Sequence, residues 1–253
     1  MATYPELLVP PGGVAPVPRR VRGLLGSSYV FDTRQATYVW EFPPYPHYYI
    51  PLADVDAELL VEEGRTEPTP RGIAAIWGLR AADLRHPGAV QILGDDAPEP
   101  LRQTVRFDWP ALDWFEEDER VFVHARNPYS RVDAVHADVA VRIELDGVVL
   151  AEAPSVVRVF ETGLPPRHYL AASSLRLEHL VASETVTSCP YKGTTSRYWS
   201  VQVRDVLHPD LAWEYAFPTA PLLAIANRVA FYDERVDTFL DGERLQRPVT
   251  PFS

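Results

Sequence analysis

The chain of 253 residues has one cysteine, Cys189, and one lysine, Lys192, while arginine supplies the rest of its 24 basic Lys and Arg residues. A single thiol excludes an internal disulfide and fits a reducing compartment, so the expected location is cytoplasmic. There is no apolar run of about 18 residues, which leaves no candidate for a membrane-spanning helix. The opening stretch "MATYPELLVPPGGVAPVPRR" lacks the basic start and apolar core of a secretory signal. A basic stripe is also missing, and the net charge is −11. That balance argues against nucleic acid or an anionic membrane as partner. The seven histidines show no His-x-x-x-His spacing, so no metal site and no cofactor are expected.

Long helices are also absent from the pattern. The 25 prolines, about twice the average share, are spread along the chain and interrupt every helical period. What remains alternates. "VRIELDGVVLAE" (141–152) reads as a hairpin, because Asp146-Gly147 suits the positive φ of a two-residue turn. "TYVWE" (37–41), "SVVRVFE" (155–161), "RLEHL" (176–180) and "YWSVQV" (198–203) read as further strands, with short helical turns at 80–86 and 219–227. The fold class expected is mostly β and antiparallel.

The chain also repeats itself. At a shift of 120 residues Val21-Arg22 meets Val141-Arg142, Val39-Trp40-Glu41 meets Val159-Phe160-Glu161, and Tyr49-Ile50 meets Tyr169-Leu170. Toward the ends "DERV" at 118–121 recurs at 233–236, which puts the shift there at 115. Two copies are too few for a solenoid and imply tandem domains. The boundaries expected are a proline-rich arm at 1–20, a first β domain at 21–126, a linker at 127–138, a second β domain at 139–245 and a tail at 246–253. The copies differ in chemistry. The second has "RHYL" (167–170) and "CPYKG" (189–193); the first has "HYYI" (47–50) and "TPRG" (69–72), without thiol or lysine.

The motifs "ETGLPPRHYL", "CPYKGTTSRYW", "AWEY" (212–215) and "VAFY" (229–232), in that order, resemble the domain of unknown function 427 family in a tandem two-copy form. The second copy matches nearly end to end. The first matches more weakly, keeping Glu41, Tyr48, Tyr49 and Trp77 but carrying Arg71 in "TPRG" where the Cys-Pro motif stands. The resemblance implies a small β-tent domain with a cleft, and it brings the label nucleotidyltransferase. Nucleotidyl transfer uses carboxylates on Mg²⁺ and a phosphate cradle, and the chain has no G-S-x-D-x-D element or P-loop. Zinc held by two Cys-x-x-Cys pairs, as in other β-tent proteins, is excluded by the single cysteine.

The candidate site follows from the second copy. Cys189 is either a nucleophile beside the ammonium of Lys192 or a small buried hydrophobe. Lys192 either clamps a carboxylate or, unlike arginine, forms an imine. His168 is either a general acid or base or a structural hydrogen-bonder. Glu161 holds a ligand amine or pairs with Arg167, while Tyr169, Tyr191, Trp199, Trp213 and Tyr215, with Tyr198 and Tyr232, are core or cleft aromatics. Glu41, Tyr48, Tyr49, Arg71 and Trp77 are the first-domain counterparts. Asp118-Glu119 and Asp233-Glu234 read as solvated turns. The function expected is binding of a small polar or aromatic metabolite in the second domain's cleft near Cys189 and Lys192, with catalysis by thiol or amine open. The alternatives are a non-catalytic binding or regulatory module, with an anion held by Arg167 and Lys192, and, from the label, a metal-dependent nucleotidyltransferase. The oligomeric state is open.

Overall fold

The computed structural model describes residues 12–42, 44–250 and 252–253. The described residues divide into two compact units, 12–127 and 128–253. The first unit holds β1 (Val14–Pro16), β2 (Val21–Leu25), β3 (Ser28–Thr33), β4 (Thr37–Phe42), β5 (Tyr45–Pro51), β6 (Leu60–Thr69), β7 (Gly72–Ala81), β8 (Leu84–Leu93), β9 (Thr104–Phe107), β10 (Asp113–Glu116) and β11 (Glu119–Val121). The second holds β12 (Val132–Ala137), β13 (Val141–Leu145), β14 (Val148–Ala153), β15 (Val156–Glu161), β16 (Arg167–Ala171), β17 (Leu180–Ser183), β18 (Ser188–Cys189), β19 (Gly193–Thr194), β20 (Arg197–Val203), β21 (Val206–Glu214), β22 (Arg228–Phe231), β23 (Asp237–Leu240) and β24 (Glu243–Arg244). The helical elements among the described residues are short 3₁₀ turns.

Each unit packs a seven-stranded sheet on a four-stranded one. The orders are β1-β4-β5-β9-β8-β7-β6 with β11-β10-β2-β3, and β12-β15-β16-β22-β21-β20-β17 with β14-β13-β23-β24. All ladders in these sheets are antiparallel. The period of two sorts the side chains. Tyr38, Trp40, Tyr48 and Ile50 enter the core between the sheets with Phe31 and Trp114. Val39 and Tyr49 point to the outer face of the large sheet, with Ile76, Leu93, Ala97 and Leu101. In the second unit Leu170, Val201 and Phe231 face inward, while Val159, Tyr169, Tyr198, Trp213 and Tyr215 form the outer face, covered by Leu222 and Ile225. This outer face positions the site.

The pairing confirms the repeat and extends it. The bond-partner pair Val14↔Val39 recurs as Ala134↔Val159, so each copy begins with an edge strand. The stretch expected as a linker therefore supplies β12, and part of the expected N-terminal arm supplies β1. The remainder of that arm, residues 1–11, lies outside the described residues. Further along, Trp77↔Val90 recurs as Trp199↔Ala212, and Val105, opposite Ile50, recurs as Val229, opposite Leu170. The shift thus grows from 120 to 122 and then 124, rather than falling to 115. The two "DERV" stretches are not equivalent: Glu119–Val121 is β11, whereas 233–236 precedes β23.

The 141–152 hairpin forms as expected, with Leu145 opposite Val148 and positive φ at Asp146 and Gly147. Two expectations fail locally. Residues 80–86 are the β7–β8 hairpin, its turn made by Ala82 at φ 49°, with Ala81 opposite Leu84. "RLEHL" is a 3₁₀ turn over Leu177–His179 that hands the chain to β17. Tail residue Thr250 is tied down by donating to Glu234 at 2.8 Å.

One core pair was exchanged between the copies. Gly23 lies opposite Phe31, whose ring would stand 2.4 Å from a Cβ at Gly23. At the matching place Ile143 lies opposite Ala151. Large and small have traded strands at similar total volume, the substitution cores tolerate best. Gly23→Ile alone is expected to destabilise by about 2 kcal/mol and Phe31→Ala alone by about 3 kcal/mol or more. In urea unfolding the double variant should cost clearly less than the sum of the two.

Candidate functional site

The second unit builds a polar cluster on the outer face of its large sheet. β15 ends at Glu161, β16 supplies Tyr169, and the small β18–β19 ladder pairs Cys189 with Gly193 and projects Pro190-Tyr191-Lys192 as its turn. Gly193 has φ 97°, where a side chain would be strained, and its Cβ position lies 3.5 Å from the Phe217 carbonyl. Thr219 fixes the turn from the other side: its N–H donates to the Lys192 carbonyl at 3.2 Å, and its hydroxyl donates to the Tyr191 carbonyl. Held in this way, Lys192 Nζ donates to Glu161 Oε2, with both side chains largely buried.

The electrostatics of this cluster are tightly linked. Burial works against the charge of Lys192, but Glu161 foremost, then Cys189 and Tyr169, hold its ammonium above the ordinary lysine value. Burial pushes the Tyr169 phenol up to about 12, with the Lys192 ammonium opposing. Burial also raises the Tyr215 phenol, with Tyr169 and Cys189 adding to it. Cys189, partly exposed, therefore lies within electrostatic reach of Lys192, Tyr169 and Tyr215. Trp213 Nε1 donates to Tyr169 Oη at 3.3 Å, and its ring packs 4.4 Å from that of Tyr232.

Several expected members stand elsewhere. Arg167 neither pairs with Glu161 nor stands open to an anion. Its guanidinium forks onto Glu234 at 2.8 and 3.0 Å and reaches Asp233 at 3.2 Å, over the rings of Trp213 and Tyr232. Asp233 and Glu234, expected in a solvated turn, are each only 7% exposed because they carry that arginine; Asp118 does stand in solvent. His168 points to the opposite face from Tyr169, as the period of two requires, and is buried with Nδ1 3.6 Å from Asp233. That face is turned away from Tyr169 and the Glu161–Lys192 pair. Trp199 likewise packs on the inner core.

The first unit carries the same carboxylate with different partners. Glu41 accepts from the Tyr49 hydroxyl and has His47 Nδ1 at 3.1 Å and Arg106 Nε at 3.2 Å. Burial opposes its charge, yet His47, Tyr49 and Arg106 lower its carboxyl to about 2. Arg71 is within electrostatic reach of Tyr49. Tyr48 is turned inward and donates to Glu116, and Trp77 packs on the inner core, so neither joins this group. Arg106, unnoticed in the sequence, is the decisive difference. It stands opposite Gln91, and the matching pair is Ala230 opposite Trp213. With alanine there, Glu161 takes its cation from the turn instead. That turn has also grown: two residues separate Thr69 from Gly72, but three separate Cys189 from Gly193.

The profile of the family described as a domain of unknown function (DUF427) matches residues 13–115 and 133–242. The chain therefore belongs to that family, twice over. No curated protein matches the chain.

Two outcomes follow from these carboxylates. Glu161→Gln and Lys192→Met should each cost about 3 kcal/mol by leaving a buried charge unpaired, and the double variant should cost much less than their sum in a double-mutant cycle. Glu41 has a folded value below its ordinary 4.5, so its contribution is present above pH 4.5 and is lost as pH falls toward 2. Solvent screening at this part-exposed carboxylate leaves about 1 kcal/mol of it, and Glu41→Gln should flatten the acid limb of stability against pH.

Proposed function

We propose that the second domain binds a small polar or aromatic metabolite against the Glu161–Lys192–Cys189 cluster, in a reducing compartment such as the cytoplasm. One observation carries the reading. On the same outer face the first domain has Ile76, Gln91, Leu93 and Arg106, and the second has Tyr198, Trp213, Tyr215 and Ala230. Two aliphatic side chains, a glutamine and an arginine in one copy stand where the other has three aromatics and an alanine beside its ion pair. Aromatic walls with a few convergent polar groups are the ordinary make-up of a small-molecule site.

The chemistry favours binding over imine formation. An imine-forming lysine must deprotonate, whereas Glu161 keeps Lys192 charged. A ligand with an acidic group meets the ammonium, one with an amine meets Glu161, and Cys189 stands beside both as a contact. Among the described residues no group of three His, Cys, Asp or Glu is placed to hold a metal ion.

The test is a thermal-shift screen of polar and aromatic metabolites, coupled to iodoacetamide alkylation of Cys189, the chain's one thiol. Compounds that raise Tm should also slow alkylation, and both effects should be lost in Lys192→Met. Stabilisation that survives this variant and leaves alkylation unchanged would overturn the reading.

A further inference from the structure

The first domain contains a cavity of about 500 Å³ that the cluster in the second domain does not explain. Its lining includes Tyr45, His47, His86, Arg106, Trp109 and His124. Three of the chain's seven histidines thus converge from distant positions in the sequence.

The matching positions in the second domain are spent on structure. By the register of the two copies, His47, Asp108, Trp109 and Pro110 correspond to Arg167, Tyr232, Asp233 and Glu234. There the arginine forks onto the acids beneath the tyrosine ring. The first domain has none of that fork and instead presents ring faces and imidazoles to an opening.

The polar groups have defined roles. His47 turns Nδ1 toward the Glu41 carboxylate at 3.1 Å, and in the neutral tautomer with its proton on that side Nε2 is an acceptor. The His86 imidazole has no hydrogen-bond partner among the described residues. Arg106 sets Nε 3.2 Å from the Glu41 carboxylate and donates Nη1 to Asp108, while no described residue engages Nη2. The cavity therefore offers imidazole acceptors beside the donors of Arg106 Nη2 and the His86 N–H. Two carboxylates already offset the guanidinium, so there is no surplus positive charge for an acid. The walls are flat: Tyr45 stacks on His124 at 3.7 Å and 10°, and Trp109 on Trp114 at 4.7 Å and 10°.

We infer that this cavity is a second binding site, taking a planar, uncharged heteroaromatic molecule with adjacent N–H and C=O groups. The ring stacks on the aromatic walls, its N–H groups donate to the His47 and His86 imidazoles, and its carbonyl accepts from Arg106 Nη2. The volume is within the range of small-molecule sites. This inference uses only residues of the first domain and stands apart from the reading of Cys189 and Lys192.

Saturation-transfer NMR on the full chain tests it, with uracil and hypoxanthine as probes and benzoate as an anionic control. At least one heterocycle should bind and benzoate should not. His86→Leu should weaken binding roughly tenfold, the loss of one hydrogen bond. His86→Gln, which keeps an acceptor, should bind nearly as well as the parent. Lys192→Met, in the other domain, should leave affinity unchanged. Benzoate binding as tightly as the heterocycles, no binding by either heterocycle, or loss on Lys192→Met but not on His86→Leu would each overturn the proposal.

Discussion

A carboxylate half-sunk in the outer face of a β-sheet must be neutralised where it stands, because burial of an unpaired charge is among the costliest things a small domain can do. This chain meets that requirement twice, at Glu41 and at Glu161, and the two solutions set the character of each domain. Arg106 on β9 serves Glu41 from the sheet itself, with His47 beside it. Lys192 serves Glu161 from a turn. A sheet cation occupies the face, so the first domain's outer surface is committed around Arg106, and its open volume lies beyond, toward the histidines. A turn cation reaches in from the edge and leaves position 230 to alanine. The face of the second domain is then free to carry Trp213, Tyr215 and Tyr198.

Duplication explains how such divergence was tolerated. The inner cores are governed by volume, and they hold it even where individual residues trade, as Gly23 with Phe31 and Ile143 with Ala151 show. The outer faces are governed by charge pairing instead. A change at one position there, such as arginine to alanine, is acceptable only with a compensating cation elsewhere. Polar differences between the copies therefore come in linked sets, whereas apolar differences come in volume-matched pairs.

The same contrast decides what the sequence made legible. The Asp146-Gly147 hairpin and the alternating strands could be read directly, because turn chemistry and the period of two are local. The repeat was visible through its first half, where no insertion intervenes. It was lost beyond Cys189, because Tyr191 lengthens one turn and later loops add more, and an ungapped comparison slid onto the chance likeness of the two "DERV" stretches. The proximity of Cys189, Lys192 and Glu161 was partly legible from the "CPYKG" turn. Arg106 and the grouping of His47, His86 and His124 were not, since they arise from register between strands far apart in the chain. His168 and Trp199 stood open between site and core, and the period of two decides them: each neighbours a residue of the outer face, and in a strand neighbours point to opposite faces.

The single lysine now has a physical account. Guanidinium is a broad planar fork that is best satisfied by two or more acceptors, as Arg167 is by Glu234, Asp233 and the Phe231 carbonyl. Beside Glu161 the space is bounded by Tyr169, Tyr215 and Cys189, and one carboxylate oxygen is the acceptor. A compact ammonium on a flexible stem fits that constraint and an arginine fork does not. An ammonium also carries three donors, of which Glu161 accepts one. The residue that best neutralises the buried carboxylate is therefore also the one that retains donors beside the thiol.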